Sequence, residues 1–288
     1  MRGASRVAFA DARDRLTEVV ADADVAATVG DELFAVVHVL DQQPGLRRAL
    51  ADYTSTREAR TGLVRDLLGD RVSAATLDVV SGLAGARWSV PRDLADAAEE
   101  LGVLATAAAA GGAGNLDDVE DELFRFGRIA SGEPELIAAL ADQRMPDDQK
   151  RTLLDRLLSG RVAAASLRLI TQAVINPRGR SLEANLADYG RLVADWRQRL
   201  IAVVRVATEL SQRQRQQLTR ALTAIYGHGI QLNVIIDPRV VGGMSIQIGD
   251  ELIDGTLSSR LAAQTALGSM RPAFRERKQT RKREPWRS

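Results

Sequence analysis

Through most of the first 200 residues, apolar side chains recur at three- and four-residue intervals, the spacing of one helical face. Leu123, Phe126, Ile129 and Ala130 form one such stripe. Pro134 then suits the first turn of a new helix, where its missing N–H costs nothing. Leu153, Leu154, Leu157 and Leu158 make a further stripe, which Gly160 can close. Val162 to Val174 reads as the next helix, ended before Pro177. Ser181 is placed to cap a long amphipathic helix reaching about Leu200, with Glu183 in its first turn. Its buried face should carry Leu182, Leu186, Tyr189, Leu192, Val193 and Trp196.

The pattern changes after Leu200. Residues 201–207 form a β-branched, strand-like run. Ser211 and Gln214 make a capping box for a helix through Ile225, stopped at Gly227, with Leu218, Leu222 and Ile225 along its apolar edge. Ile230 to Ile236 alternates toward the turn signal Asp237-Pro238. Residues 243–249 alternate again, with Met244, Ile246 and Ile248 on one face. The expected fold is mainly α, two tandem related helical bundles followed by a small α+β module.

The tandem reading comes from an internal repeat. An ungapped shift of 90 residues returns Asp31-Glu32-Leu33-Phe34 as Asp121-Glu122-Leu123-Phe124, and Ala49-Leu50-Ala51-Asp52 as Ala139-Leu140-Ala141-Asp142. Eighteen of 47 positions are identical between 31–77 and 121–167, where average residue usage gives about 3 by chance. The segment from Asp93 to Ala110 is expected to close the first bundle and open the second, making one continuous helical body.

Composition narrows the chemistry. The 288 residues are 45% apolar and 27% charged but only 4% aromatic. The core must therefore be built from Leu, Val, Ile and Ala, which favours helices. The absence of Cys excludes disulfides and thiol chemistry and fits a reducing compartment. With His38 and His228 the only imidazoles, a His-rich metal site is excluded, and the carboxylates show no cation-loop pattern. No phosphate loop, His-Glu-x-x-His or Gly-x-Ser-x-Gly pattern is present. Gly111-Gly112-Ala113-Gly114 follows no strand and reads as a linker. Asp117, Asp118, Glu120, Asp121 and Glu122 surround a helix start and suit its dipole. No catalytic residue, cofactor or metal is expected. No apolar run reaches membrane-spanning length, and the N-terminus lacks a signal peptide's apolar middle.

Charge is uneven. Residues 271–288 carry +6, leaving −5 on the body of a chain whose net charge is +1. A mildly acidic body does not resemble a nucleic-acid-binding surface. The tail, with Phe274 and Trp286, reads as a disordered solubilising end or a lipid contact secondary to assembly; binding of anionic lipid or nucleic acid as a function of its own is the alternative. Trp88 and Trp196 are each open to two readings, interface anchor or core.

The run from Asp237 to Leu261 carries Gly242-Gly243, an alternating strand, Gly249-Asp250, Ile253-Asp254-Gly255 and a final Arg260-Leu261. It resembles the closing signature of the delta subunit of F-type ATP synthases, whose mitochondrial member is called oligomycin-sensitivity-conferring protein. Leu104 to Leu123 is similar to that family's first helix, its connection and the start of its second. The residues that carry the signature are Asp237, Gly242, Gly243, Gly249, Asp250, Asp254 and Gly255. Their expected roles are structural: the glycines permit positive φ or close approach, and Asp250 and Asp254 accept from turn N–H groups. Arg260 reads as a solvated helix charge, with a partner contact as the alternative.

The resemblance implies a non-catalytic stator subunit on the cytoplasmic face of the plasma membrane. It would grip the N-terminal segment of an alpha subunit in the catalytic head and hold the b subunit of the peripheral stalk. Membrane association would be indirect, and no nucleic acid is expected. The mapping divides the chain into an extra N-terminal helical copy (1–92), the family's helical domain (93–200), the α+β module (201–270) and the basic tail (271–288). A helical adaptor of similar architecture is the alternative, as is a binder of anionic polymer or membrane. The second copy, contiguous with the module, is expected to keep the alpha contact.

Overall fold

The computed structural model describes residues 1–254 except 2, 143, 200, 227–229, 238–239, 241–242 and 249–250. In chain order come α1 (Ala4–Val19), α2 (Ala23–Gln42), α3 (Pro44–Ala51), α4 (Arg57–Leu68), α5 (Ala74–Gly85) and α6 (Pro91–Gly112). Then follow α7 (Leu116–Gly132), α8 (Pro134–Ala141), α9 (Asp147–Leu158), α10 (Ala164–Ile175) and α11 (Leu182–Arg199). The chain ends its described course with β1 (Ile201–Val206), α12 (Gln212–Tyr226), β2 (Gln231–Ile236), β3 (Met244–Ile248) and β4 (Glu251–Asp254). Contacts divide it into two compact units: residues 1–201 with 216–231, and 202–215 with the rest from 232.

The repeat is structural. Moved by 90 residues, the bounds of α3, α4 and α5 become those of α8, α9 and α10. Local chemistry repeats with them. Pro44 and Pro134 each open a helix, and Glu32 and Glu122 each cap one from a distance. The Glu32 carboxylate accepts from the Ser73 N–H at 2.9 Å and the Ser73 hydroxyl at 2.7 Å, at the start of α5. Glu122 accepts from the Ala163 N–H at 2.9 Å and the Ser166 hydroxyl, at the start of α10. An anionic acceptor suits the N–H groups and dipole that a helix start leaves open.

One helix belongs to both copies. α1, α6 and α11 share a register at 90-residue intervals, and α6 packs on α1, α2, α3 and α5 as well as α7, α10 and α11. Its sequence shows why. Asp11, Asp14 and Glu18 lie exposed on α1, and Arg191 and Gln198 on α11. The positions matching Asp11 and Asp14 in α6 are Leu101 and Leu104, both buried, and Ala108 stands in the place of Glu18. α6 has exchanged a solvated face for an apolar one and is covered on both sides. It meets α2 at small residues: a Cβ added to Gly30 would come within 2.8 Å of the Thr106 hydroxyl.

Two expected core residues are exposed. Ile129 is 61% accessible, because Leu123, Phe126 and Ala130 fill the inward arc of α7 and Ile129 lies beside it. Ile225 is 71% accessible, leaving Leu222 as the buried residue of that edge of α12. Trp88 and Trp196 are both core; the Trp88 indole N–H donates to the Leu83 carbonyl at 2.8 Å.

The smaller unit is built on a mixed four-stranded sheet in the order β2-β1-β3-β4. β3 runs antiparallel to β1, with Val204 opposite Ile246 and Ala202 opposite Ile248, all four buried. β4 returns antiparallel along β3, with Ile253 opposite Ile246. The capping box forms at α12: the Ser211 N–H donates to Gln214 Oε1 at 2.9 Å, and the Gln214 N–H to Ser211 Oγ at 3.3 Å.

Candidate functional site: a helical arm, its seam and the C-terminal module

Of the seven signature residues, three are described. Asp237 follows β2 and its N–H donates to the Val206 carbonyl at 2.9 Å, pinning the end of β2 to β1. Gly243 takes φ 80 immediately before β3, a left-handed turn that glycine enters without steric cost. Asp254 ends β4, opposite Ser245. Gly242, Gly249, Asp250 and Gly255 lie outside the described residues, as do Arg260 and the tail 271–288. The described members thus shape a sheet rather than converge on a reacting atom.

What the sheet presents is apolar side chains at both edges. Ile235 and Ile236 on β2 are 41% and 55% accessible, and Leu252 and Ile253 on β4 are 60% and 39%. The two edges are separated by β1 and β3, and neighbouring residues on a strand point to opposite faces, so these are separate apolar groups at each edge.

In the helical unit, the acidic cluster at the start of α7 is divided among structural tasks. Asp117 and Glu120 face Arg197 at 3.5 and 3.3 Å, Asp121 faces Arg125, and Glu122 caps α10. An open cleft of about 370 Å³ is lined by Tyr53, Trp88, Arg48 and Asp52, among others. The Asp52 carboxylate there is engaged by the Thr54 N–H and hydroxyl, which hold it below the usual carboxylate range. Among the described residues no group of three His, Cys, Asp or Glu side chains could hold a metal ion.

The strongest concentration of charge is buried at the seam between the copies, and sequence reading missed it. Arg178, in the loop between α10 and α11, has a side chain 3% accessible. Its guanidinium meets Asp41 of α2 at 2.7 Å, Asp96 of α6 at 2.8 Å and Glu99 of α6 at 2.6 Å. Glu99, equally buried, also accepts from Arg180 at 2.5 Å and from the Tyr189 hydroxyl of α11 at 2.6 Å. Burial works against the Arg178 charge, but the three carboxylates outweigh it and raise its pKa. Burial, then Glu99, pushes the Tyr189 phenol well above its ordinary value, so it stays a donor. Burial also raises Asp96, and lifts the neighbouring Glu100 to about 7. The signal available in the sequence was slight: Asn176-Pro-Arg-Gly-Arg180 reads as an ordinary polar loop.

Comparison with known proteins places this architecture. Residues 103–266 match the family model described as ATP synthase delta (OSCP) subunit. The chain is 50% identical over 262 residues to ATP synthase subunit delta of Thermobifida fusca, covering 91% of this chain and 97% of that one. It is 46% identical over 260 residues to the subunit of Streptomyces avermitilis (90% and 95% covered) and 43% over 266 residues to that of Acidothermus cellulolyticus (91% and 97%). The family model begins inside α6, whereas these relatives match across most of the first copy as well.

Proposed function

The chain belongs to the ATP synthase delta (OSCP) family, the non-catalytic peripheral-stalk subunits of F-type ATP synthase, and from that premise we propose how it makes its connections. As a peripheral subunit of a membrane-bound complex it needs no span of its own, and no helix among the described residues is long and apolar enough to cross a membrane. The helical copy at 93–200 takes the N-terminal segment of an alpha subunit. The α+β module at 201–270 takes the end of the b subunit, and the extra copy at 1–92 braces the stalk or the flank of the head. The work is done on the cytoplasmic face of the plasma membrane, without nucleic acid.

The observation that supports the b assignment is the pair of aliphatic side chains exposed at each edge of the sheet, on β2 and on β4, either of which can offer a contact to an amphipathic helix. The alpha assignment rests on the second copy's continuity with the module. Hydrogen exchange on the intact chain tests both. An alpha N-terminal peptide should protect amides of α7–α11, and a b C-terminal peptide should protect β2 or β4. Protection by the alpha peptide confined to α1–α5 would reverse the assignment of the copies. No protection by either peptide, at low and moderate salt, would sink the proposed contacts.

A further inference from the structure

The charged seam does not belong to the repeat. At a shift of 90 residues, Arg178 corresponds to Trp88, Arg180 to Val90, Asp41 to Ser131 and Glu99 to Tyr189 or Phe9. A network inherited with each bundle would recur in each bundle; this one exists only where α2, the shared α6 and the α10–α11 loop meet. It is also held in an unusual backbone. Arg178 is the one non-glycine residue of positive φ among those described, at 52°, and Gly179 follows at 78°. A non-glycine side chain adopts that conformation at a cost that surrounding contacts must offset. Here the turn aims the guanidinium inward, and Arg92 donates to the Arg178 carbonyl at 3.1 Å.

Buried ion networks contribute little net stability, because desolvating the charges offsets their attraction; their better-attested use is to select one geometry. A guanidinium suits that use, since its planar fork engages several carboxylates only at fixed angles. Arg168 with Asp31, an ion pair that also joins the copies, is about half exposed and adds little restraint.

We infer that the Arg178–Glu99–Asp41–Asp96 cluster is an orientation lock, a device that sets the first helical copy at one angle on the second so that the arm moves as a single body. The apolar contacts of α6 hold the copies together and oppose large movements, but being non-directional they leave small shifts of α2 along α6 open. The cluster removes that freedom: α2 cannot slip along α6 without separating Asp41 from Arg178.

The chain has no cysteine, so spin labels can be placed at will. Asp66→Cys on α4 and Arg156→Cys on α9 are exposed sites, one in each copy. Pulsed dipolar spectroscopy on the full chain should give one narrow distance distribution. Asp41→Asn, which leaves Glu99 and Asp96 on Arg178, and Arg178→Lys, which keeps the charge but loses the fork, should each broaden it at least twofold or add a second peak, with helical content unchanged. Arg15→Met, which breaks the Arg15–Asp78 pair inside the first copy, should leave it as it was. Wild-type width in both seam variants would overturn the lock. If Arg178→Lys does not fold, Asp41→Asn decides alone, and unchanged width there overturns it equally.

Discussion

The close approach of α2 to α6 makes Gly102→Ala destabilising, although the same change usually strengthens a helix. An added Cβ at Gly102 would lie 2.7, 2.9 and 3.2 Å from three atoms of the Phe34 ring. Carbon contacts settle at about 3.5–4.0 Å, so the ring or the helix must yield by roughly 0.5–1 Å. Phe34 is 8% accessible and sits among buried neighbours on α2, so it has little room to retreat. Helix propensity favours Ala by about 1 kcal/mol, while overpacking a tight core costs about 1–3 kcal/mol. The expected net is a loss of about 1 kcal/mol. Gly190→Ala in α11 is the control, because nothing lies within 4 Å of its added Cβ. It should gain about 0.5–1 kcal/mol. Urea unfolding followed at 222 nm would place the two variants on opposite sides of the wild type. Phe34→Leu in the Gly102→Ala background should recover part of the loss, a coupling of about 1 kcal/mol in the double-mutant cycle. A Gly102→Ala protein as stable as Gly190→Ala would refute the reasoning.

Glu100→Gln should stabilise the arm at pH 8 by up to about 3 kcal/mol and by little at pH 5. Burial raises this carboxyl to about 7 from 4.5, so the folded chain binds the extra proton between those values and the wild type loses stability as pH rises through them. Melting curves of both proteins from pH 5 to 8 check the sign; a constant difference would contradict it. Glu32→Gln and Glu122→Gln should each cost about 1–2 kcal/mol by weakening the hydrogen bonds that hold the starts of α5 and α10. Hydrogen bonds from Thr76 and Ser73 outweigh burial and lower the Glu32 pKa, so its contribution is present above about pH 4.5 and lost as pH falls through the folded value. Exchange rates of the α5 and α10 amides would show each effect in its own copy. Ile236→Ser with Leu252→Ser should weaken b-peptide binding at least tenfold in calorimetry and leave the melting temperature within 2–3 °C, since both side chains are exposed.

The helical arm was legible because its determinants are local or periodic. Pro134 marks the start of α8, the stretch before Pro177 gives α10 and Ser181 the start of α11, each within a few residues, while α7 and α9 show in the sequence as apolar stripes. β4 was not anticipated. Glu251-Leu-Ile-Asp254 is too short to show alternation, although the two positions between β3 and β4 are Gly249 and Asp250, a pair suited to hairpin turns. Ile129 and Ile225 were misplaced because a stripe read from spacing does not reveal how wide an arc the neighbours cover. The seam escaped for a different reason. A buried arginine and an exposed one look alike in sequence, and the partners of Arg178 lie 79 to 137 residues away. Its departure from the repeat, Arg178 against Trp88, was visible, but only the structure gives that difference a meaning.

The sharing of α6 bears on what a second copy can contribute mechanically. Two bundles joined by a linker bend at the linker, since few contacts oppose the motion. Here the junction is the core itself. To hinge the first copy away, α6 must give up either Gly102 and Thr106 against α2 or the contacts that cover Leu101 and Leu104. Uncovering those two leucines alone costs about 3–6 kcal/mol. That is several times the thermal energy, so hinging is suppressed, and the small shifts that packing leaves are those the charged seam restrains. Doubling the arm around a common helix therefore enlarges it without adding a joint. A peripheral-stalk subunit resists rotation of the parts it connects, and compliance inserted between them would be a loss; the solvated face that α6 has exchanged for Leu101, Leu104 and Ala108 is the sequence-level trace of that constraint.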